Sequence, residues 1–310
     1  MIKSAVVTGA SGMIGATTIR ELNRRGIEVL ALVRPGSSKL RNLPVSPLVK
    51  TIECELDGFY DFLDRHEKGS FDAFFHFAWD GTYGEARNDA TRQTKNIGYT
   101  IDAIELASRL GCEVFIGAGS QAEYGPASEK LAPETPVRPM NGYGIAKYCA
   151  GKLGAIRARQ LGMRFVWTRI LSVYGPMDNH YSFTMNAILK RLRGEETQFT
   201  RGEQVWDFLF SEDAARAMVL IAEKGRDGAV YCLGSGIERR LSDAIGIICS
   251  SIRPDLPTGL GSLPYPDGQV MYLCADIARL AEDTGFCPEV SLEEGLARTI
   301  AFAKHQYISD

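Results

Sequence analysis

The chain has 310 residues, 45% hydrophobic and 24% charged, with 35 Lys+Arg against 38 Asp+Glu for a formal charge of −3. That composition excludes disorder and argues against a nucleic-acid partner, which asks for a basic surface. No apolar run approaches the roughly 18 residues needed to cross a bilayer, so no membrane span is expected.

The N-terminus enters an apolar strand without the pattern of a secretory signal, and the seven cysteines are scattered with no C-x-x-C pair. Reduced thiols and a cytoplasmic location are the expectation. His66, His76, His180 and His305 share no metal-ligand spacing with one another or with cysteines, so no metal is assigned.

In chain order, β-rich runs at residues 5–8, 28–33, 71–77, 113–117 and 165–170 alternate with helical patterns at 12–25, 89–110 and 142–161. Such alternation predicts right-handed βαβ units around a parallel sheet. In the helix over 89–110, Ile97, Ile101, Ile104 and Leu110 recur at helical spacing and predict its buried face. Beyond residue 170, Gly175-Pro176 and clusters at 254–257 and 263–268 read as loops between shorter elements. This part is expected to fold over the carboxyl edge of the sheet and enclose a second ligand beside a cofactor.

Gly9-Ala10-Ser11-Gly12-Met13-Ile14-Gly15 directly follows the first strand and opens a helix. Gly-x-x-Gly-x-x-Gly at that junction predicts a dinucleotide loop. Gly9 permits the turn, Gly12 lets the backbone approach a pyrophosphate, Gly15 allows close packing, and the helix N-terminus offers free N–H groups. At the end of the second strand a carboxylate would bind the ribose hydroxyls of NAD, but the residue is Arg34, with Lys39 and Arg41 nearby. A guanidinium can grip a 2′-phosphate bidentately, so NADP(H) is expected in preference to NAD(H), against the plainer reading of three solvated loop cations.

Tyr143 and Lys147 stand at i, i+4 at the start of a helix, which places phenol and ammonium on one face. The ammonium and a positive nicotinamide favour the phenolate, so Tyr143 can exchange a proton near neutral pH, while Lys147 can also hold the nicotinamide ribose. Ser120 follows the strand over 113–117, where its hydroxyl can meet a substrate oxygen.

With these motifs in this order, joined by Phe75-His76-Phe77-Ala78, Asn96, Arg169 through Pro176 and Trp206-Asp207-Phe208, the chain resembles the extended short-chain dehydrogenase/reductase family over nearly its whole length. That group includes nucleotide-sugar epimerases, dehydratases and reductases. The resemblance implies an α/β fold, a Rossmann-type doubly wound parallel sheet over residues 1–170 with a return segment near 205–235, and a smaller substrate-binding domain over 171–310. It makes Ser120, Tyr143 and Lys147 a catalytic triad, with Asn96 stabilising the active-site helix. Gly9, Ser11, Gly12, Met13, Ile14, Gly15, Arg34, Glu55, Leu56, Phe77 and Ala78 would contact the cofactor, together with Tyr143 and Lys147. Gln121, His180, Arg201 and Trp206 are the candidates for binding a nucleotide-sugar substrate.

Family dehydratases carry an Asp-Glu pair where this chain has Gln121 and Ala122, which disfavours a 4,6-dehydratase. What remains is an NADPH-dependent reductase of a nucleotide-linked 4-keto-6-deoxy sugar, toward which Arg34 tilts the reading, or an NAD-dependent nucleotide-sugar 4-epimerase. A dinucleotide-sensing regulatory protein ranks last, because such proteins lose the Tyr–Lys pair. His180 is a candidate second acid by the same resemblance and a surface histidine otherwise. Trp206 replaces a family arginine that binds substrate phosphate; Arg201, Arg239 or Arg240 would compensate, or the indole would stack on a base. Gly144, Ala146, Ala150, Gly151 and Gly154 line a helix that forms a homodimer interface in this family, although packing within one subunit would use them equally well.

Overall fold

The computed structural model describes residues 1–65 and 70–307, so His66 lies outside the described residues. β1 (Ser4–Thr8), β2 (Glu28–Val33), β3 (Val49–Glu53), β4 (Ala73–His76), β5 (Val114–Ser120) and β6 (Arg164–Ile170) follow one another along the chain. Beyond them come β7 (Val173–Tyr174), β8 (Val205–Trp206), β9 (Leu209–Phe210), β10 (Val230–Leu233), β11 (Arg239–Arg240) and β12 (Tyr272–Leu273). Seven strands form one sheet in the order β10-β6-β5-β4-β1-β2-β3, parallel at every pairing. This is the Rossmann-type doubly wound arrangement, with its order reversal between β1 and β4. Central strands are buried on both faces and nearly continuous in apolar residues, which is why they were readable. β3 escaped the sequence reading because it is an edge strand in which Lys50, Thr51 and Glu53 are exposed.

α1 (Met13–Arg24), α2 (Phe62–Arg65), α3 (Ala90–Arg109), α4 (Gly142–Gln160) and α5 (Phe183–Leu192) precede α6 (Ser211–Lys224), α7 (Leu241–Ile252), α8 (Ala278–Thr284) and α9 (Leu292–Tyr307). α1 and α6 cover one face of the sheet through Ile19, Leu22, Met218 and Ile221. α3 and α4 cover the other, where parallel register stacks Phe74 on Phe115 at 5.4 Å and Phe115 on Phe165 at 5.7 Å. A further core joins α5, α7 and α9 through Met185, Ile188, Ile248 and Leu296. Among the described residues no helix is long and apolar enough to cross a membrane.

Two helix faces show more than their spacing does. Of the four residues expected to form the buried face of α3, Ile104 and the following Leu110 are buried and Ile97 and Ile101 half-buried, and polar Gln93, Asn96 and Thr100 are buried beside them. The polar part of this face lies at the carboxyl edge, where loop carbonyls need donors: Gln93 Nε2 donates to Gly81 O and Ala86 O, both at 2.8 Å. On α4 the small residues face the subunit's own interior. A Cβ on Gly151 would stand 2.8 Å from the Trp167 ring, and one on Gly154 would stand 3.1 Å from Ile104 and Phe165. The packing that required small residues is therefore intramolecular.

His76 of β4 is buried; its Nδ1 shares a hydrogen bond of 2.8 Å with Thr8 Oγ1, and its Nε2 finds no partner. Burial first, and then the Lys147 charge, push this imidazole down to about 3 from 6.5, so it is neutral in the fold. The unfolded chain takes up that proton below pH 6.5 and the folded one only near 3, so stability falls as pH drops through this window. His76→Leu is predicted to lose less stability than the parent between neutral pH and about pH 5, as measured by urea denaturation at both.

Candidate active site

The chain leaves β1 at Thr8 and turns through Gly9, whose φ of +64° would strain any side chain. A Cβ at Gly9 would stand 2.7 Å from Ala78 N, and one at Gly15 would stand 2.3 Å from Gly9 O. The loop is thus clamped between the ends of β1 and β4, at the switch point of the sheet. Gly12 caps α1 without a side chain and no acidic residue occupies its first turn, so the N–H groups there are free to meet an anion.

From this loop a cleft of about 880 Å³ runs along the carboxyl edge. One end is walled by Ser11, Arg34, Lys39, Glu55 and Leu56, the middle by Gly9, Gly12, Met13, Ile14, Gly15, Phe77 and Ala78, and the other end by Ser120, Gln121, Tyr143 and Lys147. The side-chain-free cradle, its uncapped helix and the elongated cleft fit a dinucleotide with its pyrophosphate at α1.

At the far end Lys147 is buried, 4% exposed, and its Nζ donates to Ala118 O at 2.6 Å beneath the Trp79 ring, 3.7 Å from the ring centroid. Burial pulls this ammonium down to about 7, with Glu123 opposing the shift. Tyr143 lies one turn earlier on α4. Burial raises its phenol above the ordinary range, while a hydrogen bond from Ser120 and the charge of Arg87 lower it and Glu123 raises it. The Arg87 guanidinium lies 4.4 Å from the centre of the Tyr143 ring. The lowering expected from Lys147 is not what this fold gives: burial outweighs it, and the cation that opposes burial is Arg87. Ser120, Tyr143 and Lys147 come together as one cluster whose hydroxyls can hydrogen-bond an oxygen in the cleft and exchange a proton with it.

The cluster rests on a buried carboxylate. Glu123 Oε1 accepts from Ser120 N at 2.9 Å and from Trp167 Nε1 at 3.0 Å, and Oε2 accepts from Arg169 Nε at 2.8 Å. With both oxygens engaged and no exposure, Glu123 holds the end of β5 and is not placed to act on substrate. Gln121 faces the cleft, and Ala122 is buried with its carbonyl 2.2 Å from where a Gly144 Cβ would stand.

Other expected residues lie elsewhere. Asn96 is buried away from the cleft, and it fastens the loop after β4 rather than α4: Oδ1 accepts from Asp80 N and Nδ2 donates to Asp80 O, both at 2.9 Å. It is a positioning residue. Arg201 is exposed and paired with Glu203 at 3.3 Å, outside the cleft. Trp206 also stays out of it, because its indole fills the seam near Leu171 and Leu273 and donates to Ser172 Oγ at 2.9 Å. Arg239 and Arg240, on β11 beside it, are exposed. His180 borders an adjoining cavity, with its ring edge-on to Tyr307 at 4.6 Å. Among the cleft residues that sequence reasoning did not single out are Trp79, Arg87 and Asp178. Only Trp79 carried a signal, an aromatic just past a strand's carboxyl end.

Removing one partner of a buried ion pair strands the other charge. Glu123→Ala is predicted to cost about 3–5 kcal/mol in urea denaturation, and Glu123→Ala combined with Arg169→Leu to cost less than the single change.

A model described as the NAD dependent epimerase/dehydratase family matches residues 5–234. ADP-L-glycero-D-manno-heptose-6-epimerase of Pseudomonas aeruginosa is 27% identical over 327 aligned positions, covering 95% of this chain and 97% of that protein. UDP-glucose 4-epimerase of Thermotoga maritima, solved with UDP-glucose, gives a TM-score of 0.87 at 25% identity, covering 97% of this chain and 99% of that one. MoeE5, solved with UDP-glucuronic acid and NAD, gives 0.84 at 25% identity with the same coverage of both chains.

Proposed function

Because the chain belongs to the NAD dependent epimerase/dehydratase family, we propose that it is an epimerase of a nucleotide-linked sugar, oxidising one carbinol carbon and reducing it again from the opposite face. The observation that carries this reading is the Ser120–Tyr143–Lys147 cluster at one end of a cleft continuous with the glycine cradle. The absence of an acid pair at Gln121 and Ala122 supports simple oxidation and return over elimination of water. The 4-ketoreductase that Arg34 favoured becomes the second reading, because the similar heptose and glucose enzymes are epimerases.

Bound at the cradle, a nicotinamide dinucleotide supplies hydride acceptance and donation. Ser120 hydrogen-bonds the sugar oxygen that Tyr143 deprotonates as the carbon is oxidised, and Tyr143 returns the proton when the carbinol re-forms. Arg87 and Lys147 stabilise the phenolate that Tyr143 carries before it takes this proton and again after it gives it back. Gln121, at the cleft wall, orients the sugar.

Nuclear magnetic resonance of UDP-glucose or of an ADP-linked heptose incubated with dinucleotide-loaded protein tests this reading. It predicts a new epimer with no net change in dinucleotide absorbance; steady NADPH consumption with a 4-keto-6-deoxy sugar nucleotide would establish the reductase instead. Tyr143→Phe is predicted to lower turnover by roughly 10²–10⁴-fold while dinucleotide affinity holds.

Arg34 lines the cofactor end with Ser37 and Lys39, and supports NADP(H) over NAD(H). Equilibrium titration of Arg34→Ala is predicted to weaken NADP about tenfold and leave NAD nearly unchanged. The outward face of α4 carries Ile145, Leu153 and Ile156, 50%, 47% and 53% exposed, and this apolar stripe supports a homodimer built on α4.

A further inference from the structure

Beside the cleft lies a second cavity of about 640 Å³, within the size range of small-molecule sites. Two remote stretches of chain, with Tyr307 of α9, form its walls. Lys39 and Arg41 come from the loop between β2 and β3, and Lys190 and Arg193 from the last turn of α5 and the residue after it. Among the described residues Lys39, Arg41 and Lys190 belong to no ion pair, while Arg193 meets Glu195 at 3.7 Å. The other carboxylate on the wall, Asp178, is engaged locally: its Oδ1 accepts from Asn179 N at 2.7 Å, and its side chain bonds to Ser182. Burial pushes Asp178 up to about 6 against the charge of Lys39, so it stays largely ionised at neutral pH and offsets part of the four positive charges.

Helix α5 explains part of this arrangement, since cations favour a helix C-terminus. It does not explain the two cations facing them from the other segment. Like charges gathered around one concavity repel unless an anion joins them. The strongest anion of biological size that such a ring accepts is a phosphate, which takes several Lys and Arg contacts at once.

We propose that this cavity is a second phosphate-binding site, separate from the glycine cradle, in which a phosphate group bridges the β2–β3 loop and the end of α5. It shares Ser38, Lys39, Met177, Asp178 and Asn179 with the cleft, so its occupant sits next to the cofactor's adenosine end. The phosphate is carried by a separate small molecule or by the 2′-position of NADP, and the experiment separates the two. The proposal does not depend on which sugar carbon is epimerised.

Calorimetry of pyrophosphate binding to NAD-saturated protein, and of NAD and NADP binding to free protein, would be run on the parent, on Lys190→Gln/Arg193→Gln and on Arg41→Gln. Unchanged NAD affinity verifies that each variant is folded, and Arg41→Gln stands as the second variant if the double change disrupts α5. A separate ligand predicts that pyrophosphate binds the NAD-saturated parent and binds both variants at least tenfold more weakly. The cofactor's own phosphate predicts that NADP alone weakens by that factor. Either result supports the site; pyrophosphate and NADP both behaving in the variants as in the parent would overturn it. Nucleotide-sugar turnover is read separately, so failure of the epimerase reading leaves these binding outcomes intact.

Discussion

A lysine ammonium removed from water sets the terms for everything around it. Lys147 exchanges its hydration for one carbonyl, Ala118 O, and the face of Trp79. Burying a cation on so few partners is costly, and it is tolerated only where the surroundings are rigid. That rigidity begins on α3. Gln93 Oε1 accepts from Trp79 Nε1 at 2.9 Å, and Asn96 grips both backbone groups of Asp80, so the indole is fixed over the ammonium from both sides. Residues with no view of the cleft thereby decide where the cation lies relative to the phenol.

The same economy governs the end of β5. Ser120 is held through its own backbone N–H by Glu123, and Glu123 is neutralised by Arg169, which also lies 4.4 Å from the Tyr124 ring centre. Small residues on α4 let these layers close: Gly144 against Ala122 and Gly151 against Trp167. The half-buried Tyr143 ring lies at the cleft wall between Arg87, 4.4 Å from its centre, and Lys147, 5.8 Å from it.

Much of the sheet and the glycine loop could be read from sequence, since buried parallel strands are nearly uninterrupted in apolar residues and a loop clamped by Ala78 and Gly9 O needs glycine at fixed places. The Tyr143–Lys147 pair was legible from helical spacing. Long-range geometry was not. Asn96 pins the strand-end loop instead of α4, Trp206 fills a seam and donates to Ser172, and Arg201 pairs with Glu203 outside the cleft. Arg87 sits in a single 3₁₀ turn with no longer periodicity to betray it, and Gln93 and Asn96 on the buried face of α3 lie beside the isoleucine stripe, where the carboxyl edge needs donors as well as apolar surface.

The most direct test is the titration of Lys147 itself, followed by nuclear magnetic resonance of ¹³Cε-lysine-labelled protein without cofactor, with the signal assigned by its loss in Lys147→Arg. A midpoint near 7, shifted upward in Trp79→Ala as water reaches the ammonium, is the expected result. A midpoint at the ordinary 10.5 would mean that the amine is solvated and that the buried arrangement of Lys147 under Trp79 does not exist.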